Sequence, residues 1–151
     1  MTQAYTQRFT EVHELLDSAW LTPANKAIAT YTTGYVSMAN HQRAVYILLT
    51  GVMAAAATLD LALWQATDTA GTSAKLIAGK NITQLTQAAG DAGDACIIEV
   101  RTEELDVDGG FDCIAGILTV AGNTVFCTVL PLFGASNYVP VPVANWTEVV
   151  D

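Results

Sequence analysis

The strongest candidate for a chemical site is a group of five carboxylates: Glu103, Glu104, Asp106, Asp108 and Asp112. In Glu104-x-Asp106-x-Asp108-Gly, carboxylates occupy alternate positions, as do the first ligands of a calcium-binding loop. The closing position, which needs a bidentate Glu, holds Ala115, so the motif is incomplete. Asp108-Gly-Gly also suits a tight turn between strands. The pattern favours a solvated acidic hairpin over a metal site, leaves Glu104, Asp106 and Asp108 as the candidate ligands, and predicts no cofactor.

The residue types that commonly perform catalysis do not lie in catalytic motifs in this sequence. None of the serines lies in a nucleophile elbow, and His13 and His41 are far apart with no motif around either. Glycoside hydrolysis needs two carboxyl groups about 5 to 9 Å apart across a cleft, which one local acidic loop does not supply. Glycines occur singly or as turn pairs, so no phosphate-binding loop is present. We therefore predict that the chain is not an enzyme.

The amino-acid composition indicates which kinds of partner the chain can bind. The chain has 15 acidic and 6 scattered basic residues, a net charge of −9, which argues against nucleic acid as a partner. Hydrophobic residues make up 52% and charged residues only 14%. A surface with so few charges indicates that neighbouring subunits cover part of it, so we expect a homo-oligomer.

The three cysteines indicate a reducing environment. Cys96, Cys113 and Cys127 have no metal-type spacing, and all three fall in apolar, strand-like runs. An odd number in such settings predicts reduced core thiols. The first residues lack the basic and then apolar layout of a signal peptide, so we expect synthesis in a reducing cytoplasm.

The longest uncharged run, from Ala44 to Leu59, decides between a membrane protein and a β protein. A membrane helix needs about 20 apolar residues, more than this run contains before Asp60. Its first half is rich in β-branched and aromatic residues, and beyond it leucines alternate with other residues with the period of two of a strand. We predict two strands around Gly51 and no membrane partner.

The N-terminal segment has a different periodicity from the rest of the chain. Its apolar residues recur at steps of three and four, as on one face of a helix, and Pro23 prevents continuation. We expect a helical arm over residues 1–22 that packs on the body or reaches a neighbouring subunit. The residues on the apolar side of this predicted helix are Phe9, Val12, His13, Leu16, Ala19 and Trp20.

Strand and turn patterns fill the remaining residues, 23–151, which we expect to form a single β domain. The fold class that this predicts is mainly β, an antiparallel β-sandwich or barrel (jelly-roll-like) with one N-terminal amphipathic helix. A hairpin over Phe111–Leu132, turning at Gly122-Asn123, is expected at its centre. Residues 80–89 are compatible with a short helix or a loop, and the Pro-rich tail is expected to run extended. The predicted strands are 29–38, 43–50, 58–66, 74–78, 95–102, 111–120 and 124–132.

Aromatic side chains could anchor an interface. We predict that Trp64 fills the core and that Tyr138 and Trp146, which lie in the tail, contact a partner. The candidate interface residues are therefore these two tail residues and four from the predicted helix: Phe9, Val12, Leu16 and Trp20.

Two consecutive segments resemble a known group of proteins. The first is Tyr35-Val-Ser-Met-Ala-Asn-His-Gln-Arg-Ala-Val-Tyr-Ile-Leu-Leu-Thr-Gly51, and the second is Ala57-Thr-Leu-Asp-Leu-Ala-Leu-Trp-Gln-Ala-Thr-Asp68, continued by Thr69-Ala-Gly-Thr-Ser-Ala-Lys-Leu-Ile77. This pattern resembles small structural proteins encoded beside the head genes of tailed bacteriophages and prophages. The resemblance covers roughly residues 29–142 and concerns scaffold motifs only.

The resemblance implies a capsid decoration or cement protein. Such a protein would sit on the capsid exterior of the virion, bind the major capsid protein, and stabilise the shell, often as a trimer. Synthesis in the host bacterial cytoplasm would precede assembly. The N-terminal helix and the Pro-rich tail would be the arms that bridge neighbouring subunits.

Two alternatives remain open from the sequence. One is a phage tail or head–tail connector protein that forms a ring of six or twelve subunits. The other is a carbohydrate- or cell-surface-binding β-sandwich module, since this architecture hosts both kinds of function. The binding module would need calcium in the loop from Glu103 to Asp112.

Overall fold

The computed structural model describes residues 9–16 and 19–136, and these are mainly β-strand. Eleven strands form two antiparallel sheets that pack as a sandwich around one core. One helical turn, α1 (Phe9–Val12), precedes them. The strands are β1 (His13–Glu14), β2 (Leu21–Lys26), β3 (Ala29–Thr32), β4 (Val36–Ser37), β5 (His41–Met53), β6 (Thr58–Ala66), β7 (Lys75–Asn81), β8 (Leu85–Thr86), β9 (Ala95–Arg101), β10 (Cys113–Ala121) and β11 (Val125–Ser136).

Among the described strands, β6 and β7 are the one pair of consecutive strands that hydrogen-bond to each other. Sheet I has the order β1–β11–β5–β9, with β2 also paired to β11. Sheet II has the order β3–β10–β6–β7, with β4 paired to β10 and β8 to β6. The chain therefore passes from one sheet to the other after β2, β4, β5, β8, β9 and β10. Of the two predicted architectures, the sandwich is confirmed.

The core lies between the sheets and follows the predicted alternation. Leu59, Leu61 and Leu63 of β6 are fully buried and face Tyr46 and other inward residues of sheet I. In an antiparallel sheet alternate side chains share a face, so the same strands place their remaining residues outside. The period-two prediction for these strands is confirmed.

The described residues do not support the predicted N-terminal helix. Among residues 9–16 and 19–22 the α-helix is limited to Phe9–Val12, and His13 and Glu14 then pair with Gly134 and Phe133 of β11. Strand β2 pairs farther along the same edge, where Pro23 is tolerated because an edge strand has one unpaired side. The free backbone groups of β11 need partners, and pairing with them outweighs the helical periodicity. No helix in the described residues has the length and apolarity of a membrane span.

Gly51 and Gly122 do not have the roles predicted for them. Strand β5 continues through Gly51 and carries an extra residue there, because Thr50 pairs with Cys127 and Met53 with Val125. Gly122 lies between β10 of sheet II and β11 of sheet I, so the turn after it is a crossing between sheets. The hairpin predicted at the centre of the fold is therefore wrong.

Two further expectations are resolved by the structure. The segment 80–89 contains the end of β7, strand β8 and a 3-10 turn over Gln87–Ala89. Trp64 lies between the buried residues Leu63 and Gln65 on β6, so its side chain belongs to the outer face of sheet II, where it is partly exposed. The prediction that Trp64 fills the core is wrong.

Candidate interaction surface

The outer face of sheet I is apolar across three strands. Two rows cross the face in register: Leu130–Ile47–Ile97 and Thr128–Leu49–Ala95. A third row adds Leu132 and Val45, and Phe126 and Val52 extend the surface beyond Leu49. We call this surface the apolar face; its residues are Val45, Ile47, Leu49, Val52, Ala95, Ile97, Phe126, Leu130 and Leu132.

Several of these side chains are open to solvent. Ile97 is 67% exposed, Val52 78%, and Leu49 and Phe126 45% each. A Cβ on Gly51 would lie 3.0 Å from the Phe126 ring, so the glycine lets that ring approach the strand. Scattered exposed apolar residues are ordinary, but a contiguous group on one sheet marks an interaction surface.

The outer face of sheet II is more polar. Its register rows include Thr119 beside Asp60 and Thr30, and Ile117 beside Thr32. Leu76 is the exposed apolar residue of β7, paired with Trp64. The apolar face is therefore a property of sheet I and not of the whole sandwich.

One end of the apolar face carries two positive charges. At this end Arg43 and Arg101 lie directly opposite each other on β5 and β9. Like charges in this arrangement disfavour folding slightly. At the other end, the hydroxyl of Thr50 donates hydrogen bonds to the backbone carbonyl oxygens of Asp91 and Asp94 in the turn that precedes β9, at 3.1 and 3.0 Å. The carboxylate of Asp91 accepts a hydrogen bond from the backbone N–H of Thr86 on sheet II, at 2.7 Å.

Glu99 is the one acidic residue within these described rows. Its Oε1 atom lies 4.0 Å from Nη1 of Arg43, and Oε1 of Glu103 lies 3.4 Å from Nη1 of Arg101. All four side chains are about half exposed or more, so each pair contributes little to stability. Each guanidinium keeps further donors available to a second partner.

A groove of about 570 Å³ adjoins the arginine end, lined by residues that include His41, Arg43 and Arg101. Burial lowers the pKa of His41, and its buried Nδ1 atom has no hydrogen-bond partner among the described residues. The imidazole is therefore neutral at pH 7, and the positive charge at this end comes from the two arginines.

Glu14 joins the edge strand β1 to this region. Its Oε2 atom lies 3.8 Å from Nε2 of His41, and both side chains are largely buried. Burial raises the pKa of Glu14. The environment therefore disfavours the charged form of both groups, and with a neutral imidazole the contact between them is not an ion pair.

The acidic segment is a crossing loop between sheets and not a hairpin, because β9 and β10 belong to different sheets. Lys75 donates to the carboxylate of Asp106, whose pKa is lowered first by that hydrogen bond and then by one from the backbone N–H of Gly109. The pKa of Glu104 is lowered by a hydrogen bond from Lys80, at 2.8 Å, and by the backbone N–H of Arg101.

Of the three candidate ligands, Glu104 and Asp106 thus already bind lysines, and Asp108 lies in the exposed turn that follows. Within residues 9–16 and 19–136, no three His, Cys, Asp or Glu side chains converge as a metal site would require.

The predicted interface residues are scattered. Phe9 is exposed and stacks on His13 with ring centroids 4.2 Å apart, while Val12, Leu16 and Trp20 are partly buried, Leu16 against the core. Tyr138 and Trp146 lie outside the described residues. None of the predicted interface residues belongs to the apolar face. The signal was available, because the runs 45–49 and 125–132 are largely apolar at both odd and even positions, as in strands covered on both faces.

Comparisons with known proteins give little. No family model and no curated protein sequence matches the chain. The chain is similar to one in a structure of the infectious bursal disease virus Gx strain, with a TM-score of 0.42 and 12% identity over 85% of this chain. It spans about a third, 34%, of that viral chain. A TM-score of this size does not establish a shared fold.

Proposed function

We propose that this chain is a non-enzymatic structural protein of a virion, which decorates the capsid exterior and stabilises the shell by binding the major capsid protein. The observation that carries the proposal is the apolar face on sheet I. Exposed apolar area of this extent is costly in water and is stabilised when another protein covers it. We therefore propose protein partners, and neither nucleic acid nor a membrane.

The topology and the sequence support the same proposal. The strand orders β2–β11–β5–β9 and β3–β10–β6–β7 correspond to the double-sheet jelly roll, an architecture used by viral capsid proteins as well as lectins and cupins. Because one fold serves many functions, this support is secondary. The resemblance of residues 29–142 to phage head-associated proteins favours the virion role among them. Synthesis in the host bacterial cytoplasm belongs to the same proposal.

The test uses particles of the virus or prophage whose genome carries the gene. Particles assembled without the gene are incubated with the purified chain and separated on a density gradient. We expect the chain to co-sediment with the shells and to raise the temperature at which they release DNA. Particles that already carry the chain serve as the control, since their sites are filled and they should take up no more.

Two outcomes would contradict the proposal. One is a failure of the chain to bind shells. The other is its presence only in tail or neck fractions, which would favour the ring-forming tail or connector protein instead.

A further inference from the structure

The edge of sheet I is open along the first half of β9. The backbone carbonyl of Asp94, just before this strand, accepts a hydrogen bond from the N–H of Thr50 at 2.9 Å. Because backbone groups alternate between the two sides of an antiparallel strand, those of the odd-numbered residues in the range 95–101 point away from β5. No described residue bonds to the outward groups of Ala95 and Ile97, so both can pair with a further strand.

Two side chains close the second half of the same edge. Nζ of Lys80, on β7 of sheet II, donates a hydrogen bond to the carbonyl oxygen of Glu99 at 2.8 Å. Oε2 of Glu104 accepts one from the backbone N–H of Arg101, also at 2.8 Å. Lys80 and Glu104 bond to each other as well, Nζ to Oε1 at 2.8 Å. We call these two residues the edge cap, because they occupy backbone groups that a neighbouring strand would otherwise use.

The other edges of the described sheets have features that hinder strand addition. Strands β1, β3, β4 and β8 are short, and the pairing of β2 and of β7 shifts register along the strand. Strand β9 pairs with β5 without a shift and contains no proline or lysine. Its two charged residues, Glu99 and Arg101, lie where the edge cap is bound. The remaining part is regular and apolar, the kind of edge to which a second chain adds.

We propose that β9 is a strand-addition site for a second copy of this chain, and that the edge cap keeps this site closed. With the cap in place the row of free backbone groups ends at Ile97, and so short an edge holds a partner strand weakly. Without the cap the row continues to Arg101. A two-fold axis then pairs β9 with β9 of the other copy, because an antiparallel edge offers its own complement.

The position of each cap residue explains how the edge stays closed. Glu104 belongs to the 3-10 turn Thr102–Glu104 directly after β9, and this turn returns its carboxylate to the strand. Lys80 reaches across from sheet II, and its side chain is only 21% exposed. Hydrogen bonds of charged groups are about twice as strong as those between neutral groups, so an incoming strand has to displace strong bonds.

The inference goes beyond the proposed function and does not depend on it. Strand addition uses backbone groups at the edge of sheet I, whereas shell binding uses the side chains of the apolar face. A chain that binds shells can therefore have an open or a closed edge, and the two properties are tested separately.

Removal of the Lys80 ammonium group tests the inference in the full chain. Lys80→Met keeps the apolar stem, but the carbonyl of Glu99 loses its donor. We expect this variant to self-associate about tenfold more strongly than the wild type, in sedimentation velocity up to about 100 μM. Lys75→Met is the matched control, since Lys75 lies on the same strand and binds Asp106, beyond β9. It should associate as the wild type does.

Amide exchange, followed by NMR, and a second substitution locate the contact. In the wild type the N–H of Ile97 should exchange quickly and that of Arg101 slowly, because only the second is bonded. In associated Lys80→Met the N–H of Ile97 should become protected. Adding Ile97→Pro removes this outward donor, which an edge strand tolerates, and should return association to the wild-type level. Adding Ile97→Ala keeps the donor and should leave the association in place.

Circular dichroism establishes that each variant keeps the fold. Glu104→Ala removes the other half of the edge cap and should cause the same association, so it decides the matter if Lys80→Met does not fold. The inference is overturned if the folded cap variant associates no more than the wild type, or if Lys75→Met associates equally. It is also overturned if association survives Ile97→Pro or is abolished by Ile97→Ala, because the contact then does not use the edge of β9.

Discussion

The side-chain amide of Asn123 donates a hydrogen bond to the carbonyl oxygen of Ala55, at 3.1 Å, and joins two places where the chain changes sheets. The turn after β5 and the turn after β10 lie against each other, and the backbone N–H of Ala54 also donates to the carbonyl of Thr124 at 3.0 Å. This contact fixes the end of the sandwich, because both central strands of sheet I, β5 and β11, start or finish there.

Gly122 makes this contact possible, and Gly122→Ala should destabilise the fold strongly. Its φ of +72° is unfavourable for other residues, and an added Cβ would overlap the carbonyl oxygen of Ala56. We expect a loss of about 2–4 kcal/mol in the free energy of unfolding, measured in urea. Gly79→Ala is the matched control: φ is +73° but a Cβ there meets nothing within 4 Å, so we expect about 1 kcal/mol. Equal losses would contradict the steric part of this explanation.

The sequence predicted the strands better than their partners. Alternation in β6 fixes which side chains face inward, since that pattern is local. Gly122-Asn123 suits a tight turn whether the next strand pairs with the last one or crosses to the other sheet. That choice depends on contacts such as the one between Asn123 and Ala55, which are 68 residues apart.

The errors at the N-terminus and on the surface have related causes. The helical spacing from Phe9 to Trp20 is real, but the unpaired edge of β11 offers the segment backbone hydrogen bonds that a short surface helix does not outweigh. The apolar face was missed because apolar residues were assigned to the core. In β5 and β11 they occupy both faces of the strand, so part of them remains outside.

Thiol reactivity should distinguish the three cysteines. Cys113 and Cys127 are 2% and 1% exposed, and burial raises the pKa of both thiols, that of Cys113 to about 12. Cys96 is only partly buried. At pH about 8, iodoacetamide should modify Cys96 first, and the other two only after unfolding in urea, as followed by mass spectrometry. Reaction of Cys113 in the folded chain at the rate of Cys96 would contradict its burial.

Calcium should not stabilise the chain. In the acidic loop the carboxylates of Asp106 and Glu104 already accept hydrogen bonds from Lys75 and Lys80, which would have to be displaced. We expect the same melting temperature in millimolar Ca²⁺ and in excess chelator, since a ligand that binds only the folded state would raise it. A rise that Asp106→Asn abolishes would restore the metal-binding interpretation and, with it, the carbohydrate-binding alternative.

The stability of the edge strand should depend on the protonation of Glu14. Burial raises its pKa in the folded chain above the ordinary value of 4.5, so its contribution to stability is complete below that value and is lost as pH rises through the raised pKa. Glu14→Gln stays neutral at every pH. We therefore expect this variant to melt above the wild type at pH about 7.5 and at the same temperature at pH about 4.

The pH dependence that His41 gives to stability has the opposite sign. Burial lowers its pKa from 6.5, so its contribution to the stability of the folded chain is lost as pH falls through the lowered value. Both proteins contain His41, so its contribution largely cancels in the comparison. Glu103→Gln, at an exposed carboxylate, is the control and should match the wild type at both pH values. A Glu14→Gln variant that melts below the wild type at pH about 7.5 would mean that His41 is charged and that the pair stabilises the edge strand as an ion pair.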